Sequence, residues 1–567
     1  MNKAPGTIIS PHPVTGLTRR GFHGGLLGSA LAALALPGAA QAAVDPGPDL
    51  WLNRLTFGAT PAARRDFARM GWANWLNAQL AMAERDPGLT ARLDAARLLI
   101  RYPAGDDGEG RAWAARDART PLDWLTRDPA EAVPLLNFEN PMDYQERIRP
   151  AFEVINAALI RAVHAPAQLR ELVTQFWHDH FSVNATKFEA TAAFFPSHDA
   201  AMRRHAFGNF RVMLGEVARS PAMLYYLNNE DSRASPANEN FARELLELHT
   251  LGAANYANDR AANWHAVPGA DTGLAQAYID QDVYEVARAF TGWSVGDGRT
   301  IDEGVTAPLT GRFHYIESWH DPYQKRVLAV EFAPNRAPMA DGDQVLDLLA
   351  THPGTAQHIS RKLIRRLLAD DPDPAMVDRV ARVFLASSEA SDQIAQVIRA
   401  IVADPLFAST PPHKMRRPFE YLAAIYRATG AQMVIPENGY AYQLGLSGWM
   451  QHEYGPPTGH PDRTDRWTAA TTLNRMVDYA LYGHEGWFGC VDQPLRSLIP
   501  AAVGFNDLVR PWTDALLGDG GSAAQALARA LNIADPAASL DLNDDEREGI
   551  CAAAVAFAAL TPAFLLR

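Results

Sequence analysis

Residues 238–252 constrain the fold more than any other stretch, and they read Asn-Glu-Asn-Phe-Ala-Arg-Glu-Leu-Leu-Glu-Leu-His-Thr-Leu-Gly. Apolar residues recur there at helical spacing, and Gly252 is an ordinary helix stop. At about 100° per residue, Glu244 and Glu247 share one narrow polar stripe with Arg243, and most of the remaining surface is apolar. A helix so apolar is normally buried. Its carboxylates would then be largely buried too, and would need a partner, a metal ion or a shifted pKa.

Arg243 offers a purely structural explanation for the same carboxylates. On a helix it lies within pairing distance of Glu239, Glu244 and Glu247, which would give an ion-pair network without any catalytic role. Perturbed acids occur in such networks as well as in active sites. The spacing alone therefore leaves both the ion-pair network and a functional site open.

A second polar cluster precedes this stretch, where His178 and His180 flank Asp179. Residues two apart on a helix point to roughly opposite sides, so both imidazoles reach one metal ion only if the helix ends or turns there. Imidazoles combined with carboxylates from another segment suit zinc, manganese or iron. We therefore expect this segment to meet the 238–252 helix and hold a divalent metal ion. The predicted ligands are His178, His180, Glu244 and Glu247. The alternative is a helix C-terminus, where a histidine charge is favourable.

His320 and Asp321, with Lys325 close behind, lie where the helical period of the sequence is lost. Polar groups on such loops often line a pocket. The alternative is an ordinary turn at Asp321-Pro322. Our predicted catalytic set consists of Glu244, Glu247, His320 and Asp321.

Several motifs occur in an order that resembles a known family. They lie at residues 52–61, 176–181, 239–252, 282–293, 320–325, 352–362 and 417–420. In this set the chain is similar to the bacterial domain-of-unknown-function 1800 family, and the long central motif is the most specific part of the resemblance. Membership implies no established reaction. It does imply a partner, because such proteins are often encoded beside a second exported family that looks sulfatase-like.

The first 42 residues have the pattern of a cleavable export signal. Arg19-Arg20 forms a twin-arginine pair, Leu26 to Leu36 is a short apolar run, and Ala40-Gln-Ala42 is a cleavage site. The run is too short to span a bilayer. We therefore expect a periplasmic or otherwise exported protein with no stable membrane anchor after cleavage. The alternative is a disordered start that contains Arg-Arg by chance.

The composition restricts the partners and the kinds of metal site. The chain has 65 acidic and 52 basic residues, a net charge of −13. Such a surface argues against nucleic acid, which needs a basic footprint, and against adhesion to anionic lipid. Cys490 and Cys551 could pair in an exported protein, but two cysteines cannot build a cysteine-rich metal site.

The periodicity predicts a mainly α-helical, multi-helical fold with a small irregular or β insertion near residues 294–345. We divide the chain into a signal peptide at 1–42, a helical core domain at 43–435 and a C-terminal part at 436–567. The C-terminal part starts with a long loop rich in glycine and proline, and long loops in compact domains are often functional.

Two functions follow as hypotheses. The first is an exported enzyme of unknown substrate, a metal-assisted hydrolase with a buried His/Glu pocket, because metal-activated water needs few further groups. The second is a non-catalytic binding or assembly partner of another exported protein. The sequence does not decide whether the protein is an enzyme, and it does not identify the metal ion.

Overall fold

The computed structural model describes residues 47–433, 439–483 and 504–567. Within these ranges the chain is mainly α-helical with small antiparallel strand pairs, which confirms the predicted fold class. The helices are α1 Gly47–Leu55, α2 Pro61–Met70, α3 Trp72–Ala81, α4 Pro87–Ala95, α5 Tyr144–His164, α6 Gln168–His180, α7 Glu189–His205, α8 Phe210–Ala218, α9 Pro221–Tyr226, α10 Glu239–Glu244, α11 Asp280–Ala289, α12 Ala340–Ala350, α13 Pro353–Leu367, α14 Pro374–Ala386, α15 Gln393–Ala403, α16 Pro405–Ser409, α17 Pro418–Thr429, α18 Gly439–Leu446, α19 Ala470–Tyr482, α20 Phe505–Leu517, α21 Gly521–Ala530, α22 Asp544–Ala559 and α23 Pro562–Leu565. The predicted signal peptide, the domain boundary at 435/436 and Cys490 lie outside the described residues.

Many of these helices begin where a polar cap precedes a proline. The Thr60 hydroxyl accepts a hydrogen bond from the Ala63 amide at the start of α2. Asp373 does the same for the Met376 amide at the start of α14. Proline follows both caps because its missing amide hydrogen has no partner in the first turn anyway.

The strands form isolated antiparallel pairs. They are β1 Arg97–Tyr102 with β4 Arg116–Pro121, β2 Gly105–Asp106 with β3 Ala112–Trp113, β5 Trp293–Asp297 with β8 Leu309–Tyr315, β6 Thr300–Asp302 with β7 Val305–Thr306, and β9 Lys325–Val327 with β10 Val330–Phe332. The pairs from β5 to β10 make up the predicted insertion. The β1–β4 pair was not predicted, because its outer strand carries arginines and aspartate rather than alternating apolar residues.

The 238–252 stretch is not one regular α-helix. It is α-helical over Glu239–Glu244 and then widens into a π-turn over Leu245–His249. The Thr250 hydroxyl donates to the Leu245 carbonyl at 2.6 Å, five residues back, and the chain leaves the turn at Gly252 with φ of 88°. A π-turn contains more residues per turn than an α-helix. The angular positions expected beyond Glu244 are therefore wrong.

The buried apolar core extends from Leu50 to Leu565, so the last helices share it with the first. The C-terminal residue is part of the interior. Arg567 is 2% exposed, and its guanidinium donates to the Arg366 carbonyl at 3.0 Å. None of the helices in the described ranges combines the length and the apolar character that a membrane span requires.

Candidate functional site

A cleft of about 540 Å³ opens between the end of α6, one face of α13 and the loop that follows Tyr454. Six basic side chains, three histidines and two aspartates line it. They are Arg361, Lys362, Arg365, Arg366, Arg463 and Arg466; His180, His358 and His460; and Asp179 and Asp462. We call it the basic cleft. Its surplus of positive charge contrasts with the net charge of −13 of the whole chain.

Most of the positive charge in the basic cleft is unmatched. Arg366 pairs with Glu420, and Arg463 pairs with Asp371 at 2.6 Å. The other four have no carboxylate within 4 Å among the described residues, and they are Arg361, Lys362, Arg365 and Arg466. Unmatched cations around a concave surface attract anions.

His180, His249 and His358 form a cluster near Lys362. The His180 ring lies 6.2 Å from the His249 ring and 6.1 Å from the His358 ring, measured between centroids. His180 Nε2 donates to the His249 carbonyl at 3.1 Å, and His358 Nε2 donates to the Leu248 carbonyl at 3.1 Å. Among the described residues, His180 Nδ1 and both ring nitrogens of His249 are buried without a hydrogen-bond partner. The cluster therefore retains unused acceptor positions.

Burial and the nearby ammonium group keep these imidazoles neutral. Burial, with Lys362, lowers the pKa of His249 and of His358 to about 3. The same two causes lower the pKa of His180 well below its usual value. Burial lowers the pKa of Lys362 to about 8, although the charge of Asp179 acts in the opposite direction. At neutral pH the positive charge of the cleft therefore comes from Lys362 and the arginines.

Asp179 is already neutralised by its own neighbours. Its carboxylate lies 2.7 Å from Arg417 Nη1 and 3.1 Å from His460 Nδ1. Burial alone would raise the pKa of Asp179, but Arg417 and the hydrogen bond from His460 hold it below its usual range. Asp179 thus positions His460 at the wall of the cleft and adds little negative charge to it.

Two glycines allow the walls of the cleft to come together. Gly459 has φ of +70°, and a Cβ there would lie 1.9 Å from the carbonyl oxygen of Asp179. Gly252 has φ of +88°, and a Cβ there would lie 2.5 Å from His358 Nδ1. L-residues with a side chain rarely adopt such φ values. Both positions therefore require glycine for conformation and for space.

The His178–His180 segment and the 238–252 segment, which are predicted to share a metal ion, do meet. The contact between them is made by His180 and His249. His180 contacts the His249 carbonyl, whereas His178 turns to the other side of α6, where its Nε2 lies 3.0 Å from Asp199. Asp199 also accepts from Arg203 at 2.9 Å. His178 therefore belongs to a buried ion-pair network. Among the residues that the structure describes, no three His, Cys, Asp or Glu side chains are grouped as a metal ion requires. The predicted set of His178, His180, Glu244 and Glu247 is therefore not assembled.

Glu244 and Glu247 are half-buried, not largely buried as expected. In the described part of the chain Arg243 forms its ion pairs with other residues, with Glu239 at 3.5 Å and with Asp280 at 3.4 Å. Partial burial and the charge of Glu247 raise the pKa of Glu244. The π-turn that follows Glu244 explains why the polar stripe was misplaced. A catalytic role for the two glutamates stays a prediction.

His320 and Asp321 belong to a buried network whose charges are paired. His320 Nε2 lies 3.3 Å from Asp341, and Asp321 lies 2.8 Å from Arg288. Lys325 is fully buried, and its ammonium lies 2.7 Å from Asp341. These partners account for the polar side chains that the sequence singled out. A catalytic role for His320 and Asp321 stays a prediction.

Sequence reasoning missed the cationic face of α13, although a signal was present. Basic and imidazole side chains recur there at i, i+3, i+4 and i+7, the spacing of one helix face. They are His358, Arg361, Lys362 and Arg365. The signal is a helical period in charged side chains, which a pattern of apolar residues does not contain.

Comparison with known families confirms the predicted resemblance. The family described as "Protein of unknown function (DUF1800)" matches residues 50–566, which is nearly the whole chain. Neither a curated protein nor a solved structure matches the chain significantly. The match establishes kinship and leaves the chemistry to be inferred from the residues.

Proposed function

We propose that this chain, which belongs to the DUF1800 family of proteins of unknown function, binds a small anionic ligand in the basic cleft. The observation that carries the proposal is the unmatched charge of the cleft wall. Four cationic side chains face one cavity without a carboxylate within 4 Å among the described residues. A phosphate, sulfate or carboxylate group is the natural counter-ion for such a set.

The size and the donor types of the cleft support a small molecule. A volume of about 540 Å³ falls within the range of roughly 300–1,000 Å³ that is typical of ligand sites. Arg361, Arg365 and Arg466 present planar forks that match oxyanions, and Lys362 adds a compact charge. Desolvated cations gain from an anionic partner, because an ion pair then replaces the lost water.

Hydrolysis of an anionic ester is the second candidate function, and two groups favour it. Lys362 has a pKa of about 8, close to the pH at which a proton carrier works best. His180 lines the same cleft with Nδ1 unused among the described residues. A bound anion would raise the pKa of this imidazole and make it a better base. The four predicted metal ligands do not fit a metal ion, so we assign no metal-dependent step to them.

Export and partnership belong to the same proposal. A twin-arginine signal would carry the chain out of the cytoplasm, and a sulfatase-like exported partner would work on sulfate esters, one class of anion that suits the cleft. Replacement of Arg19 and Arg20 by lysine is expected to leave the precursor in the cytoplasm. An unchanged exported yield in cell fractionation would contradict the twin-arginine interpretation.

Calorimetric titration with inorganic sulfate, inorganic phosphate and citrate at low salt tests the anion site. Lys362→Met and Arg361→Met are expected to weaken binding by about tenfold or more each, since a charge-assisted hydrogen bond contributes about 1.5–3 kcal/mol. Arg69→Met is the matched control, because Arg69 is exposed and, in the part of the chain that the structure describes, pairs only with Asp66. Equal affinities for the control and the cleft variants would contradict the proposal.

A further inference from the structure

A second cleft, of about 500 Å³, has the opposite character to the basic cleft. Phe138 and Phe188 line it, and the two residues are 61% and 38% exposed. Glu189, Glu230 and Asp297 bring three carboxylates to the same cavity. We call it the acidic cleft.

Glu230 is held rigidly at this cleft by its own backbone. Its carbonyl oxygen accepts from the Ser294 hydroxyl at 2.6 Å and from Arg299 Nη1 at 2.7 Å. The residue is only 8% exposed. Its Oε2 atom is buried and has no hydrogen-bond partner among the described residues. A buried carboxylate oxygen without a partner is costly, so this one calls for a ligand or a proton.

Arg299 contacts the backbone of Glu230, but its ion pairs are with other carboxylates. Arg299 pairs with Asp297 at 2.8 Å and with Asp231 at 2.6 Å. Asp297 also accepts from the Tyr225 hydroxyl. Glu230 and Glu189 have no basic side chain within 4 Å among the described residues. The acidic cleft therefore keeps unmatched negative charge after its internal pairs are formed.

We propose that the acidic cleft binds an organic cation, with Glu230 as its counter-ion and Phe138 and Phe188 against its apolar part. The cation is an alkylguanidinium or alkylammonium group. Each ring offers an apolar surface for the alkyl chain and a face that attracts the charged end, and each already contacts a cation of the chain itself. The Arg147 guanidinium lies 4.6 Å from the Phe138 ring, and the Lys187 ammonium lies 5.1 Å from the Phe188 ring. This site is independent of the anion site proposed above.

The same chemistry has two sources, a free small molecule or an arginine side chain of a partner protein. Matched pairs of probes separate charge from shape. Butylguanidinium is compared with the neutral isostere butylurea, and a short arginine peptide with the same peptide carrying citrulline. A peptide that binds more than tenfold tighter than butylguanidinium supports the partner source, and similar affinities support the free cation.

Calorimetry on the full chain is the test. We expect each cation to bind at least tenfold tighter than its neutral counterpart, and Glu230→Gln to abolish that preference. Affinity should rise with pH as Glu230 ionises, because burial raises the pKa of this carboxyl to about 7. Exposed Glu303→Gln is the control.

Two results would overturn the proposal. One is equal affinity for charged and neutral probes, and the other is an unchanged preference in folded Glu230→Gln. Sulfate binding in the basic cleft and the circular dichroism spectrum report folding of the variant. If Glu230→Gln does not fold, Glu189→Gln at the half-buried rim takes its place, with at least a threefold loss expected and no loss counting against the site.

Discussion

Two polar regions of this molecule differ in how their charges are balanced. Around Lys325 the charges are paired, since its ammonium lies 2.7 Å from Asp341 and the neighbouring Asp321 lies 2.8 Å from Arg288. In the basic cleft, Arg361 and Lys362 have no carboxylate within 4 Å among the described residues. Buried charge by itself therefore does not indicate a site, whereas unmatched charge around a cavity does.

The largest expected effect tests the paired region. Lys325→Met removes the closer of two cations that pair with Asp341, and the other, Arg336 at 3.1 Å, remains. Removal of one partner of a buried pair costs up to about 3–5 kcal/mol. Burial alone would raise the pKa of Asp341, and His320 and Lys325 now hold it down. Urea unfolding should show this loss of stability, while sulfate binding by the remaining folded protein is unchanged. A stable variant that has lost sulfate binding would contradict the comparison, because it would mean that Lys325 serves anion binding and not stability.

The second prediction tests how tightly the basic cleft is built. Gly459→Ala places a Cβ against the Asp179 carbonyl and imposes a strained φ, which together cost about 2–4 kcal/mol. The affinity of the basic cleft for anions should fall as well, because displacement of the backbone at residue 459 also displaces the neighbouring His460. Gly455→Ala is the matched control in the same loop, since a Cβ there has no heavy atom of the described residues within 4 Å. Equal stability of the two variants in urea would contradict this prediction, because it would mean that the loop adjusts to a Cβ at residue 459 without a measurable cost.

These contrasts also show what the sequence could and could not predict. The helical fold and the insertion near residues 294–345 follow from local patterns, and the structure confirms them. The meeting of His180 with the 238–252 segment was predicted as well. The side chains that meet there were not predicted, because the π-turn rotates His249 and moves Glu247 away from its expected angle.

The sites themselves depend on distant partners that no local pattern contains. Lys325 and Lys362 look alike in the sequence. Only the fold places Asp341 beside the first and, among the described residues, no carboxylate within 4 Å of the second. Glu230 is a similar case. Its backbone carbonyl is held by Ser294 and Arg299, which lie more than 60 residues away.

The third prediction has the opposite sign to the first. Burial lowers the pKa of Lys362 from 10.5 to about 8, so the charged form is less stable in the folded than in the unfolded chain. Lys362→Met should therefore raise stability by about 1–3 kcal/mol at pH 7. The gain should be full below pH 8 and should shrink to zero as the pH rises through 10.5, because the unfolded chain holds its proton longer in that window. Urea titrations of both proteins across this range measure it. A destabilised variant would mean that Lys362 has a partner that balances its charge.

The smallest expected effect concerns Arg243, which is neither buried and paired like Lys325 nor unmatched in a cavity like Lys362. Its side chain is 38% exposed, and its partners Glu239 and Asp280 are 46% and 50% exposed. Exposed pairs contribute about 0–1 kcal/mol, so Arg243→Gln should cost less than about 1 kcal/mol and should lose most of that effect in high salt. Urea unfolding at low and high salt measures both. A larger, salt-independent cost would mean that Arg243 neutralises Glu244 and Glu247 after all, and would restore the buried ion-pair network that their sequence spacing suggested.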